Sequence, residues 1–216
     1  MKLESKIIAF LGDSITEGAG VANHANRYDN RMLRDCKLAG VRNYGIGGSR
    51  LAHQTKPSDC PRYDLCFCGR AYNIDPAADI IVVYGGVNDF LHGDAPFGEM
   101  GDATPATFCG AVRWLMNFMK TQYANKTVVF MTPARCNGKF GTLSAGNNLP
   151  LRRYVEVILA TAKELEIPIL NLFDDLGINA ETDEDMARYT ADGLHLNDDG
   201  HAILAEKLTA FLAEIE

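Results

Sequence analysis

"IIAFLGDSITEGAG", residues 7–20, is the stretch on which the reading turns. Ile7 to Leu11 form an apolar run of strand length, which stops abruptly at Gly12, Asp13 and Ser14 before a segment of helical character. Similar runs recur along the chain. They predict strands at Lys6–Leu11, Val41–Tyr44, Asp79–Tyr84, Thr127–Met131 and Ile167–Leu170. Most are rich in Ile and Val and continuous rather than alternating, as strands buried on both faces of a parallel sheet require. Amphipathic stretches between them predict helices over Asp29–Ala39, Pro105–Tyr123, Leu149–Leu165 and about Asp198–Ile215. Strands joined by helices imply right-handed crossovers and a three-layer α/β/α fold. Ligands of such folds sit outside the carboxyl ends of the strands, which is where Ser14 lies.

The 216 residues suit one domain, spanning 1–216, with no repeat or linker to divide it. Hydrophobic residues make up 47% and charged residues 23%, an ordinary composition for a soluble globular protein. A net charge of -7 offers no cluster of Lys and Arg for phosphate, so neither nucleic acid nor an anionic membrane is expected as a partner. The apolar run before Gly12 is shorter than a signal-peptide core or a membrane span. A cytoplasmic location with six reduced cysteines follows as the expectation, and the oligomeric state is left open.

Ser14 admits two readings. It is an N-cap, because Asp13-Ser14 opens a helix and either side chain can accept from orphan backbone N–H groups, or it is a nucleophile. No G-x-G-x-x-G or G-K-[ST] follows the strand, and Thr16 stands where a G-x-S-x-G elbow needs glycine. The deciding segment is "ADGLHLNDDGH", residues 191–201, in which Asp192 precedes His195 by three positions. A carboxylate on one imidazole nitrogen fixes the tautomer that leaves the other free to take a hydroxyl proton. "NYGIGGSR" after the second strand and "YGGVNDF" after the third place Gly48 and Asn88 at strand ends. A glycine N–H and an asparagine amide are suitable donors for an oxyanion, although glycine turns and an Asx-turn at Asn88-Asp89 would account for each segment alone.

Taken together, GDSIT with Ser14, GIGGS with Gly48, GVND with Asn88 and DGLH with Asp192 and His195 resemble the four signature blocks of the SGNH (GDSL-type) hydrolases, in order. The resemblance spans residues 7–201 and implies a flavodoxin-like fold with a five-stranded parallel sheet in the order 2-1-3-4-5. It also implies roles. Ser14 would be the nucleophile, His195 the general base and then acid, and Asp192 the orienting carboxylate, with an oxyanion hole from the N–H groups of Ser14 and Gly48 and the amide of Asn88. Such an esterase forms an acyl-enzyme on a small-molecule acyl ester and needs no metal or organic cofactor. Thioester hydrolysis and acyl transfer would use the same residues. A non-catalytic binding module on the same scaffold would have no use for the complete set.

Other residues invite roles. His53 and His92 flank the second and third blocks, either touching substrate or standing as solvated loop histidines. His201 suits packing or capping rather than a second base. Cys60, Cys66 and Cys68 lack the C-x-x-C spacing and histidine of a zinc site. The long segments after Gly48 and Asn88 mix charges with scattered aromatics rather than reading as an apolar groove. They point to short acyl groups, such as acetyl, on a polar and perhaps carbohydrate alcohol.

Overall fold

In the computed structural model, which describes residues 1–180 and 182–215, five parallel strands form one sheet in the order β2-β1-β3-β4-β5. The strands are β1 (Ile7–Gly12), β2 (Gly40–Gly45), β3 (Ile80–Tyr84), β4 (Thr127–Met131) and β5 (Ile169–Leu170). The expected order 2-1-3-4-5 is the one observed. β1 is an interior strand, with Phe10 opposite Asn43 of β2 on one side and Val82 of β3 on the other.

Helices cover both faces, and the period-2 alternation of each strand divides the core between them. Helices α1 to α4 are Ser14–Glu17, Tyr28–Asp35, Phe67–Arg70 and Val87–His92. Helices α5 to α9 are Phe108–Gln122, Leu151–Glu164, Leu172–Asp175, Asp183–Tyr189 and Asp198–Glu214. Ala9, Leu11, Ile81, Val83 and Phe130 face a core built with α3, α5 and α6. Ile8, Phe10, Val82, Val129 and Met131 face a second core with Tyr28 and Met32 of α2 and Leu204, Leu208 and Leu212 of α9. This is why the strands read as continuous apolar runs. Among the described residues, no helix is long and apolar enough to cross a membrane.

Several elements are shorter than their sequence patterns: α5 and α6 are trimmed at both ends relative to Pro105–Tyr123 and Leu149–Leu165, and two others are cut for identifiable reasons. The second helix stops at Asp35, not Ala39, because Lys37 takes a left-handed conformation (φ 53°) and Leu38 N–H turns back to the Leu33 carbonyl. The last strand loses its first half, since Ile167 N–H still bonds to Ala162 O and Pro168 has no N–H to give; pairing begins with Ile169. The short helices α3, α4, α7 and α8 carry no periodic signal long enough to be read from sequence.

Candidate active site

β1 runs directly into α1 because Gly12 lets it. A Cβ there would lie 2.0 Å from Thr16 Oγ1. The cap of α1 is Asp13, whose Oδ1 accepts from Ile15 N–H at 3.0 Å. Asp13 is buried, which pushes its carboxyl up to about 6, although the Ile15 N–H and the charges of His195 and Arg70 pull the other way. With Asp13 doing the capping, the Ser14 hydroxyl is free to meet His195 Nε2 at 2.9 Å. Of the two readings of Ser14, the N-cap belongs to its neighbour.

The histidine comes from a loop that closes on itself. Thr190 and Leu196 form an antiparallel bridge, Ala191 N–H donates to His195 O at 2.8 Å, and Gly193 turns the chain at φ +87°. Within the loop, Asp192 Oδ1 accepts from the N–H groups of Leu194 (3.0 Å) and His195 (2.8 Å). Its Oδ2 sits 2.7 Å from His195 Nδ1. Partial burial raises the Asp192 carboxyl, but the hydrogen bonds from the His195 ring and these two amides outweigh it and hold it below its ordinary value. An ionised carboxylate accepts only, so Nδ1 carries the proton and Nε2 presents its lone pair to Ser14. Just downstream, Asn197 caps α9 through Asp199 and Gly200 N–H, both at 3.1 Å.

Gly48 and Asn88 follow the carboxyl ends of β2 and β3, the two strands that flank β1 and its Ser14. Gly48 has φ +74°, and a Cβ on it would fall 2.2 Å from the Tyr63 ring, so glycine is required twice over. The amide N–H groups of Ser14 and Gly48 carry no hydrogen bond among the described residues. Asn88 is 4% exposed on α4, with Nδ2 donating to Ser49 O at 3.0 Å and Oδ1 3.1 Å from His92 Nε2. No Asx-turn forms. Asp89 instead accepts from Leu51 and Ala52 N–H at 2.8 and 3.0 Å, fastening the chain after β2 to α4. Burial pushes its carboxyl up to about 7 against the pull of those two amides.

Of the flanking histidines, His92 is bound into the site through Asn88. His53 stands exposed, and its backbone N–H donates to Pro105 O at 2.8 Å with no side-chain bond to the cluster. His201 both packs and caps: it is wholly buried, stacks on Tyr28 and accepts on Nδ1, at 3.2 Å, the N–H of Tyr28 that opens α2. All six cysteines are free, and among the described residues no group of three or more His, Cys, Asp or Glu could hold a metal ion.

Two arginines that no motif singles out support the site. Arg70 donates to Gly12 O (3.1 Å), Tyr44 O (2.5 Å) and Ser49 Oγ (2.9 Å), tying the ends of β1 and β2 to the glycine turn. Arg50, 3% exposed, pairs with Asp64 at 2.8 Å and reaches His92. Their only sequence signal is position: one follows GGS directly, and the other lies in a segment of mixed charge.

Comparison with known proteins bears on the fold and the family. The sequence matches the GDSL-like lipase/acylhydrolase family over residues 10–203. A structural-genomics target from Lactobacillus plantarum is 28% identical and superposes with a TM-score of 0.86, covering 99% of each chain. An acetyl xylan esterase (24% identity, TM-score 0.67, covering 97% of this chain and all of its own, 100%) shares the fold. So does a member of the lipolytic G-D-S-L family from Veillonella parvula (19%, TM-score 0.60, 97% and 98%). No curated protein matches the sequence. The family match covers nearly the whole chain and includes all four sequence blocks, so the chain belongs to the GDSL-like lipase/acylhydrolase (SGNH hydrolase) family of ester hydrolases.

Proposed function

We propose that Ser14 is the nucleophile of a short-chain esterase acting on polar, carbohydrate-like acyl esters. The observation that carries the chemistry is the continuous chain Ser14 Oγ–His195 Nε2 (2.9 Å) and His195 Nδ1–Asp192 Oδ2 (2.7 Å). As Ser14 Oγ bonds to the acyl carbon, its proton passes to His195 Nε2, and Asp192 steadies the imidazolium. The carbonyl oxygen becomes an oxyanion and takes hydrogen bonds from Ser14 N–H, Gly48 N–H and Asn88 Nδ2–H. Collapse expels the alcohol with the proton from His195, and water repeats the sequence on the acyl-enzyme.

The short acyl group is supported by what surrounds the donors. The Tyr63 ring lies against Gly48 and packs at 5.5 Å against His92, so two rings wall the space beside the oxyanion donors. A cavity of about 710 Å³ is lined by Phe90, Arg135, Asn137, Leu151 and Phe173 among others, not by Ser14 or Gly48. The acetyl xylan esterase of the same fold acts, by its name, on an acetylated carbohydrate.

The test is kcat/KM for p-nitrophenyl esters from acetyl to octanoyl and for acetylated sugars, with Ser14→Ala beside the wild type. Acetyl should lead and Ser14→Ala should be inert. A steady rise with chain length would overturn the short-acyl reading and move the acyl chain toward the cavity lined by Phe90 and Leu151.

A further inference from the structure

We propose that His92 is a positioning residue: clamped by Arg50 with its proton on Nε2, it holds the Asn88 amide so that one N–H is left for the acyl oxygen. The inference rests on the reading of Asn88 as an oxyanion donor.

Arg50 fixes the tautomer. A guanidinium has donors and no acceptor, so the 3.1 Å contact between Arg50 Nη1 and His92 Nδ1 makes Nδ1 the acceptor. The same Nη1 also donates to His92 O at 3.2 Å, and the other arm of the fork is held by Asp64 (2.8 Å) and Ser58 Oγ. The ring proton is therefore on Nε2, where it donates to Asn88 Oδ1 at 3.1 Å. Partial shielding of the ring from water, and then the Arg50 charge, lower the pKa of His92 and favour this neutral form.

The accounting for Asn88 is then complete. Oδ1 accepts from His92, one Nδ2 hydrogen goes to Ser49 O at 3.0 Å, and the second is unspent. Flipping the amide would set oxygen against the Ser49 carbonyl and NH₂ against the His92 N–H, replacing two hydrogen bonds with two like-to-like contacts. Asn88 and His92 stand four residues apart on α4, which puts them on one helix face. A donor fixed before substrate arrives needs no reorganisation as charge develops, so the benefit should fall on kcat.

His92 lies at the exposed rim, so substitutions there should fold. His92→Leu removes the donor at similar size, and His92→Gln places an amide N–H near the position of Nε2. With p-nitrophenyl acetate as probe, His92→Leu should lower kcat on the order of 10- to 100-fold, with KM changed by less than about twofold, and His92→Gln should recover most of the loss. Asn88→Ala should lose on the order of 10²- to 10³-fold, and adding His92→Leu to it should change kcat by less than about twofold. A wild-type kcat in His92→Leu, a rise confined to KM, or a full further loss in the Asn88→Ala background would overturn the relay. ¹⁵N NMR of labelled histidine in the unaltered protein reads the tautomer independently: the proton on Nε2 is expected, and on Nδ1 it refutes the proposal. Activity surviving Ser14→Ala would be the failure of the nucleophile reading; a wild-type His92→Leu beside an inert Ser14→Ala would be the failure of the relay alone.

Discussion

Asp192 and His195 belong to a loop that carries its own bonds, whereas Asn88 is held by groups from separate parts of the chain. On the base side, the carboxylate, the ring and two amides lie within four consecutive residues, and from farther along the chain Ser14 Oγ meets the ring and Asn137 N–H donates to the Gly193 carbonyl at 2.9 Å. On the oxyanion side, the Ser49 carbonyl, the Arg50 fork, Asp64 and the Tyr63 ring must all be delivered by the connection after β2 before Asn88 and Gly48 are in place. The difference teaches where error is tolerated. A short loop is specified mostly by its neighbours in sequence, while the proposed donors Gly48 and Asn88, 40 positions apart, depend on a network around the buried Arg50 whose partners Asp64 and His92 are themselves partly open to water.

The sharpest test of the comparison lies at Ser14 and His195. Each alanine variant should lower kcat on the order of 10⁶-fold, and the double variant should be no slower than either, because the pair acts as one unit. Losses that multiply would mean the hydroxyl and imidazole work separately despite their 2.9 Å contact.

A smaller effect is expected at Gly48. Alanine there meets both the left-handed backbone and the Tyr63 ring, so kcat should fall on the order of 10²-fold and stability by about 1–2 kcal/mol. Adding Tyr63→Ala should return part of the kcat by clearing the ring. If it returns none, backbone strain alone displaces the N–H, and the wall formed by Tyr63 has no part in placing it.

The smallest effect separates two histidines six residues apart. His195 is partly open and carries a carboxylate partner, while His201 is buried with Nε2 unpartnered. Desolvation lowers the His201 pKa from 6.5 to about 4, with nearby Asp29 opposing. The unfolded chain therefore takes the proton first: stability is intact above about pH 6.5 and is lost as pH falls toward 4. Thermal unfolding at pH 7 and pH 5 should show wild type losing about 2 kcal/mol more than His201→Asn, whose Oδ1 can still accept the Tyr28 N–H. Equal losses would show that water reaches His201 in the folded state.

Local chemistry made the strand-turn-helix start, the sheet class and the order of the four blocks legible before any coordinates. Apolar runs of strand length must be buried, Gly12 permits the turn, and Asp192 can reach His195 across three residues. Even there, local reasoning left Asp13 and Ser14 tied as the cap, since both side chains suit it; the tie was broken by His195, 181 residues away in sequence. The clipping of the last strand was in principle readable from Pro168, whereas the left-handed Lys37 had no glycine to announce it. The partners of Arg50 and Arg70 and the tautomer of His92 were beyond the sequence. A buried charge and a ring proton are defined by the partners that surround them, and only the folded chain brings Asp64, Ser58, His92 and Asn88 to one place.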